Sequence, residues 1–210
     1  MEQQIIIGYH ATNKNNEYSI INFGYYISKC KEDEQWLGKG IYFWESLYYA
    51  VEWNYINSHS FSRSAILKKI INDKTIFVAD IFIEKDRMLD LSSPEGTIIF
   101  EEFQKVLEEN LGENEIKEAY KRDDVCWIYI LQKYGFFEKF DIVIATYKKE
   151  IKSSGIKSPR NFERYVQKQI CVKKANNIIN NRIYNDIDRI KYYFQHIHSN
   201  RTNSSRLIGR

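Results

Sequence analysis

The sequence predicts an α+β fold. Strand-like and helix-like segments are mixed along the chain without the regular strand–helix–strand alternation of a doubly wound sheet. β-branched or alternating runs, such as Ile5-Ile-Ile7 and Ile76 to Ile83, read as strands, while Leu47 to Ile56 and Ile183 to Ile197 repeat their apolar residues at helical spacing. The third observation is bulk. The chain has 210 residues, 43% of them apolar, with sixteen Tyr and twelve Phe, enough for one domain with a largely aromatic core. Only two prolines occur, which excludes a proline-rich linker.

Each element follows in order. Ile5-Ile-Ile7 is a strand leading into His10, and Ser19 to Phe23 is a short helix ended by Gly24. Gly40 to Trp44 reads as a second strand. Ser46 is an N-cap for the next helix, in which Tyr49, Trp53 and Ile56 share a face. Ile76 to Ile83 is a strand, and Asp90-Leu-Ser-Ser-Pro-Glu95 is a turn and cap before a helix from Thr97 to Asn110. Asn114 to Tyr134 reads as helical, Asp141 to Thr146 as a buried strand, and Lys149 to Arg160 as a polar loop holding Gly155 and Pro159. Tyr165 to Lys173 reads as a strand with Gln167, Gln169 and Cys171 on one face and Val166, Ile170 and Val172 on the other. Ile183, Ile187, Ile190, Tyr193, Phe194 and Ile197 make the apolar face of a last helix, and Ser199 to Arg210 reads as disordered. The expected organisation is a domain over residues 1–180, followed by a basic helix and flexible tail over 181–210.

Charge and cysteine usage bound the function. The net charge of +3 is too small to imply nucleic-acid binding by itself. It is uneven, however: Lys173 to Arg210 holds eight Lys or Arg against two Asp, a local balance of +6. Cys30, Cys126 and Cys171 are widely separated, without Cys-x-x-Cys or His/Cys spacing for zinc, so no metal is expected. His196 and His198 on the last helix are too few for a metal site. The N-terminus lacks the basic and long apolar regions of a secretory signal, and no apolar run is long enough to cross a bilayer. The expected location is the cytoplasm, with no membrane partner.

Two motifs carry the chemistry. Gly8-Tyr-His-Ala-Thr12 ends an apolar run with two polar groups, where a strand would open into a cleft. Trp36-Leu-Gly-Lys-Gly-Ile-Tyr-Phe-Trp-Glu45 is a Gly-x-Gly corner running into aromatic residues, which lets backbone approach a ligand while rings stack on it. Trp53 lies eleven residues beyond Tyr42, and two rings at that spacing are suited to sandwiching a flat heteroaromatic such as nicotinamide. Taken singly, a histidine in a strand and a tyrosine after a glycine corner are more often structural.

Together with Gly24-Tyr-Tyr-Ile-Ser28, Ala50-x-x-Trp53, Leu89-Asp-Leu91 and Gln167-Lys-Gln-Ile-Cys-Val-Lys173, these motifs resemble the ADP-ribosyltransferases of the diphtheria-toxin and poly(ADP-ribose) polymerase-like branch, in particular its uncharacterised bacterial and phage members. The resemblance spans roughly residues 9–179. It implies a split, mainly antiparallel sheet flanked by helices, with NAD as the substrate. His10 would hydrogen-bond the adenine-side ribose and help position the carboxamide region, and Thr12 would assist at that ribose. Ala11, where the family has Gly, would grip the carboxamide through its backbone. Gly40 belongs to the corner, Tyr42 would stack on nicotinamide, and Trp53 would close the other face.

At the family's catalytic acid position this sequence has Gln169, with Gln167 as the alternative on the same face. A glutamine can hydrogen-bond the ribose 2′-hydroxyl but brings no charge, and losing such an electrostatic partner costs ~100- to 1,000-fold in rate. Either the enzyme tolerates this, or an acid such as Glu45 or Glu163 supplies the charge, or the fold only binds NAD. The function expected from the resemblance is mono-ADP-ribosylation of a macromolecular target, protein or nucleic acid, by a toxin or phage-conflict factor, with an inhibitory partner protein as a further expectation. Alternatives are an NAD glycohydrolase and a non-catalytic NAD- or nucleotide-binding module.

Overall fold

The structure is a computed structural model and describes residues 3–25, 37–58, 62–112, 134–148 and 166–206. The helix expected over 114–134 lies outside them except for Tyr134, which is in a turn, and the loop expected over 149–160 and Glu163 also lie outside them. The described residues form an α+β fold, a seven-stranded sheet flanked by helices. The strands are β1 (Gln3–Asn13), β2 (Ile41–Trp44), β3 (Lys74–Glu84), β4 (Met88–Asp90), β5 (Ile142–Lys148), β6 (Val166–Val172) and β7 (Ile178–Ile183). The helices are α1 (Glu17–Phe23), α2 (Leu47–Ile56), α3 (Arg63–Asn72), α4 (Pro94–Asn110) and α5 (Ile187–Arg206).

The strand order is β4-β5-β6-β2-β1-β3-β7. Only β4 and β5 run parallel; the other neighbours are antiparallel. The β1–β3 ladder runs from Gln3↔Glu84 to Asn13↔Lys74, whereas β1 and β2 share the single register pair Tyr9↔Trp44. The sheet therefore divides between β1 and β2. One face carries a buried cluster that runs across the strands from Ile142 and Ile144 of β5 to Ile81 and Ile83 of β3. Ile41, Phe43, Ala79, Ile170 and Val172 complete this inner core.

The other face carries the helices. Ala50 and Val51 of α2, Ile66 and Ile70 of α3, and Phe194 and Ile197 of α5 pack with Trp44 and Ile76. Leu107 of α4 packs with Leu89, Val143, Ala145 and Cys171. The expected caps form: Ser46 Oγ accepts from the Tyr48 N–H, and Ser93 Oγ accepts from the Gly96 N–H, with Pro94 in the first turn of α4. Gly24 ends α1 at φ +75°, a conformation that favours glycine.

The C-terminal expectations need correction. Ile183 ends a strand rather than opening a helix, because β7 pairs with β3 as the edge of the sheet. The boundary at 180/181 falls inside that strand, and α5 continues to Arg206, past the point where disorder was expected. Phe194 is fully buried, so α5 belongs to the domain. Helix α3 and strand β4 had no sequence expectation.

Asp141 anchors the entry to β5. Its N–H donates to the Arg87 carbonyl and its own carbonyl accepts from the Lys173 N–H, both at 2.8 Å. Its carboxylate accepts from Arg87 Nη2 at 2.7 Å and lies 2.9 Å from Lys174 Nζ. The hydrogen bond from Arg87 holds the carboxyl below its usual range, against the effect of burial. A depressed folded pKa stabilises the protein above the unfolded value of about 4 and loses that contribution as pH falls through the folded value. Arg87 is partly exposed, so solvent screens the pair and the contribution is small. Asp141→Asn is expected to lower the melting temperature at pH 7 and to flatten its decline as the pH falls below about 4, as read by thermal melts at acid and neutral pH.

Candidate functional site

The glycine corner is held by three side chains. Gly38 has φ +81°, which an L side chain rarely adopts. Gly40 is needed for space instead: a Cβ there would lie 2.4 Å from Cys171 Sγ and 2.9 Å from the Val172 carbonyl oxygen. Tyr42 Oη donates to the Gly38 carbonyl at 2.8 Å and accepts from the Leu37 N–H at 3.0 Å. Lys173 Nζ donates to the Leu37 carbonyl at 2.8 Å, and Cys171 Sγ to the Gly38 carbonyl at 3.5 Å. Burial pushes the Cys171 thiol pKa up and the Lys173 ammonium pKa down. Cys171 is thus a neutral structural thiol at pH 7 rather than a nucleophile.

The hydroxyl gives Tyr42 a structural task that the sequence did not reveal. Tyr42→Phe removes one donor and one acceptor from the corner. It is expected to cost about 1–2 kcal/mol in urea unfolding, more than a purely ligand-facing ring would.

Pairing of β2 with β6 then sets one polar–aromatic face. Tyr42 stands opposite Cys171 and Trp44 opposite Gln169, so side-chain alternation puts Tyr42, Trp44, Gln167 and Gln169 on the same side. Gln167 and Gln169 are buried. Helix α2 lies across this side and brings Glu52, only 7% exposed, to the first of them: Gln167 Nε2 donates to Glu52 Oε2 at 3.0 Å. Trp53 follows on the helix, 47% exposed, its ring 6.1 Å from that of Trp44 at 48°. Trp44 is thus a second indole beside Trp53, and the sequence did not assign it to the site.

His10 sits on the opposite side of the strands, with its ring 5.5 Å from Phe43 and 5.1 Å from Tyr25. Its Nδ1 is 2.8 Å from the Tyr42 carbonyl oxygen. A carbonyl only accepts, so Nδ1 carries the hydrogen. Burial depresses the imidazole pKa, leaving Nε2 as an acceptor on a neutral ring. His10 therefore spans the β1–β2 division where the backbone ladder lapses, and it meets the glutamine face through the backbone of Tyr42. Thr12 Oγ1 accepts from Asn16 Nδ2 at 2.8 Å, and Ala11 packs against the helical layer.

Of the acids expected to replace the missing charge, Glu45 is set apart. It alternates away from Trp44, is 56% exposed in its side chain and lies 3.6 Å from Lys168 Nζ. Glu52 is the acid that reaches the glutamines, and sequence reasoning missed it. The available signal was its setting: Leu47 to Ile56 holds one acid and one amide among eight apolar residues, and such a helix buries more than one side. His198 stacks on Phe194 and lies 3.2 Å from Tyr55 Oη, a packing role. Among the described residues no three His, Cys, Asp or Glu are grouped to hold a metal, and no helix is long and apolar enough to cross a membrane.

The chain is similar to an uncharacterized protein of Methanocaldococcus jannaschii, with 24% identity over 183 residues that cover 79% of this chain and 80% of the relative. No protein-family model matches the chain, and no solved structure gives a significant match.

Proposed function

We propose that the chain is an NAD-dependent mono-ADP-ribosyltransferase. The observation that carries the reading is the buried Gln167–Glu52 pair on the same face as Gln169, Tyr42 and Trp44, beside a glycine corner and a half-exposed Trp53. A nucleophile on the target attacks the anomeric carbon of the nicotinamide ribose. The glycosidic C–N bond breaks, its electron pair leaves on neutral nicotinamide, and the nucleophile releases its proton to solvent. Trp53, backed by Trp44, stacks on nicotinamide. Gln169 hydrogen-bonds the ribose 2′-hydroxyl. Glu52, held by Gln167, supplies the negative charge that favours the oxocarbenium-like state in a site shielded from water. His10 acts from the other side of the strands and fixes the wall of the cleft through the Tyr42 carbonyl. No step in this scheme needs a metal.

The target is a macromolecule, with protein favoured over nucleic acid. The basic C-terminal segment turns Phe194 and Ile197 inward, and Lys191 pairs with Asp188, which reduces what it offers to bases and phosphates.

A glutamine series tests the assignment. Gln169→Ala is expected to lower the rate of NAD cleavage by more than Gln167→Ala, and Gln169→Glu to retain or raise it. Full activity in both alanine variants would move the chemistry away from β6.

A further inference from the structure

A second site lies on the far side of α2 from the glutamines. Glu52 of this helix reaches Gln167, whereas Asn54, two residues on, lines a cavity of about 400 Å³. The cavity opens between α2, α3, the start of β3 and the segment joining β7 to α5. Its volume is in the range of small-molecule sites. Ile70, Ile76, Ile183 and Ile190 give it apolar walls.

The charge at the lining is one-sided. Lys14 and Lys74 stand against Glu17, two lysines to one glutamate, a local balance of +1. Strand register brings the lysines together: Asn13, the residue before Lys14, pairs with Lys74, and the Lys14 N–H donates to the Asp73 carbonyl at 2.9 Å. Alternation puts Lys74 on the same side of β3 as Ile76. Among the described residues Lys14, Lys74 and Glu17 form no ion pair, and Lys74 Nζ donates to the neutral Asn13 Oδ1 at 2.6 Å. Two ammonium groups without ion-paired partners thus stand at an apolar cavity, a combination suited to an amphiphilic anion. One negative charge balances the lining, whereas a phosphate monoester, with close to two, exceeds it.

We infer that this cavity binds an organic monoanion, a carboxylate with an apolar tail, whose charge pairs with Lys14 and Lys74 while its tail packs among the isoleucines.

The isoleucine walls supply the readout. In spectra of the full chain labelled at isoleucine δ1-methyl groups, without NAD, octanoate is added at millimolar concentration. The methyl signals of Ile70, Ile76, Ile183 and Ile190 are expected to shift saturably. Octanol, the same tail without the charge, should bind several-fold more weakly, and acetate, the charge without the tail, should give no saturable shift. Replacing both cations, Lys14→Met with Lys74→Met, should weaken octanoate binding about tenfold, the combined effect of two modest ion pairs open to solvent, and leave octanol binding unchanged. Glu17→Gln, which removes the opposing charge, should tighten octanoate binding about threefold. Ile190→Trp, which narrows the cavity and leaves the lysines in place, should abolish it. No saturable shift with octanoate would overturn the proposal. Octanol binding as tightly as octanoate, or unchanged octanoate affinity in the double variant, would reduce the cavity to an apolar void, and the same shifts with acetate would reduce it to an adventitious ion contact. The readout uses neither NAD nor turnover, so it stands or falls separately from the transferase reading.

Discussion

Replacing Glu52 by Gln is expected to lower NAD cleavage about 100- to 1,000-fold while leaving the protein folded. The substitution keeps the shape of the side chain and an oxygen that accepts from Gln167 Nε2, so the 3.0 Å contact between α2 and β6 survives. What disappears is the negative charge. In the proposed transition state positive charge develops on the ribose, and removing a preorganised electrostatic partner from a buried site has an effect of that size, roughly 3–4 kcal/mol. The substitution also avoids the complication of Glu52→Ala, which strands Gln167 without its acceptor and destabilises the fold. The measurement is the single-turnover rate of nicotinamide release, with a thermal melt as the folding control. An unchanged rate in a well-folded Glu52→Gln protein would mean that the pair only ties α2 to the sheet.

The second large effect is on stability. Phe194→Ala is expected to destabilise the whole domain by about 3–5 kcal/mol. Phe194 is fully buried, its ring centroid 5.7 Å from that of Tyr55 on α2 and 5.9 Å from that of His198, within the cluster built from α2, α3, α5 and the sheet. Truncation leaves a cavity that these helices, fixed to the sheet through Ile66, Ile70 and Ile76, cannot collapse to fill. Urea unfolding should keep one cooperative transition with a lower midpoint and an unchanged slope. A change below about 0.5 kcal/mol, the usual size for a surface substitution, would restore the sequence expectation that this helix is an appendage to residues 1–180.

These two residues mark where the sequence was legible and where it was not. Local signals read well. Alternation in Gln167–Cys171 put both glutamines on one face, and β2 pairing confirms that face. Ser46 capped its helix, and Gly24 ended another. Non-local facts did not read. Ile178 to Ile183 forms a strand because β3 offers an edge to pair with, and no period within six residues announces that partner. Ile183 fitted the period of the following helix, so the two elements merged in the sequence. The hydroxyl of Tyr42 looked like part of a stacking ring because its partners, Leu37 and Gly38, are chosen by the fold of the corner. His10 and Gln169 both read as cleft residues, and only the β1–β2 register separates them onto opposite sides. Glu52 carried no sequence expectation; its partner Gln167 lies on β6, more than a hundred residues away in sequence.

The central claim is that this face cleaves NAD and passes ADP-ribose to a macromolecule. The most direct measurement is incubation of the protein with NAD labelled in its adenylate half, in a cell extract, followed by separate nuclease and protease treatment. The account predicts label joined to macromolecules with release of nicotinamide, resistant to nuclease, removed by protease, and lost in Glu52→Gln. Label recovered only as free ADP-ribose, or NAD recovered intact, would contradict it.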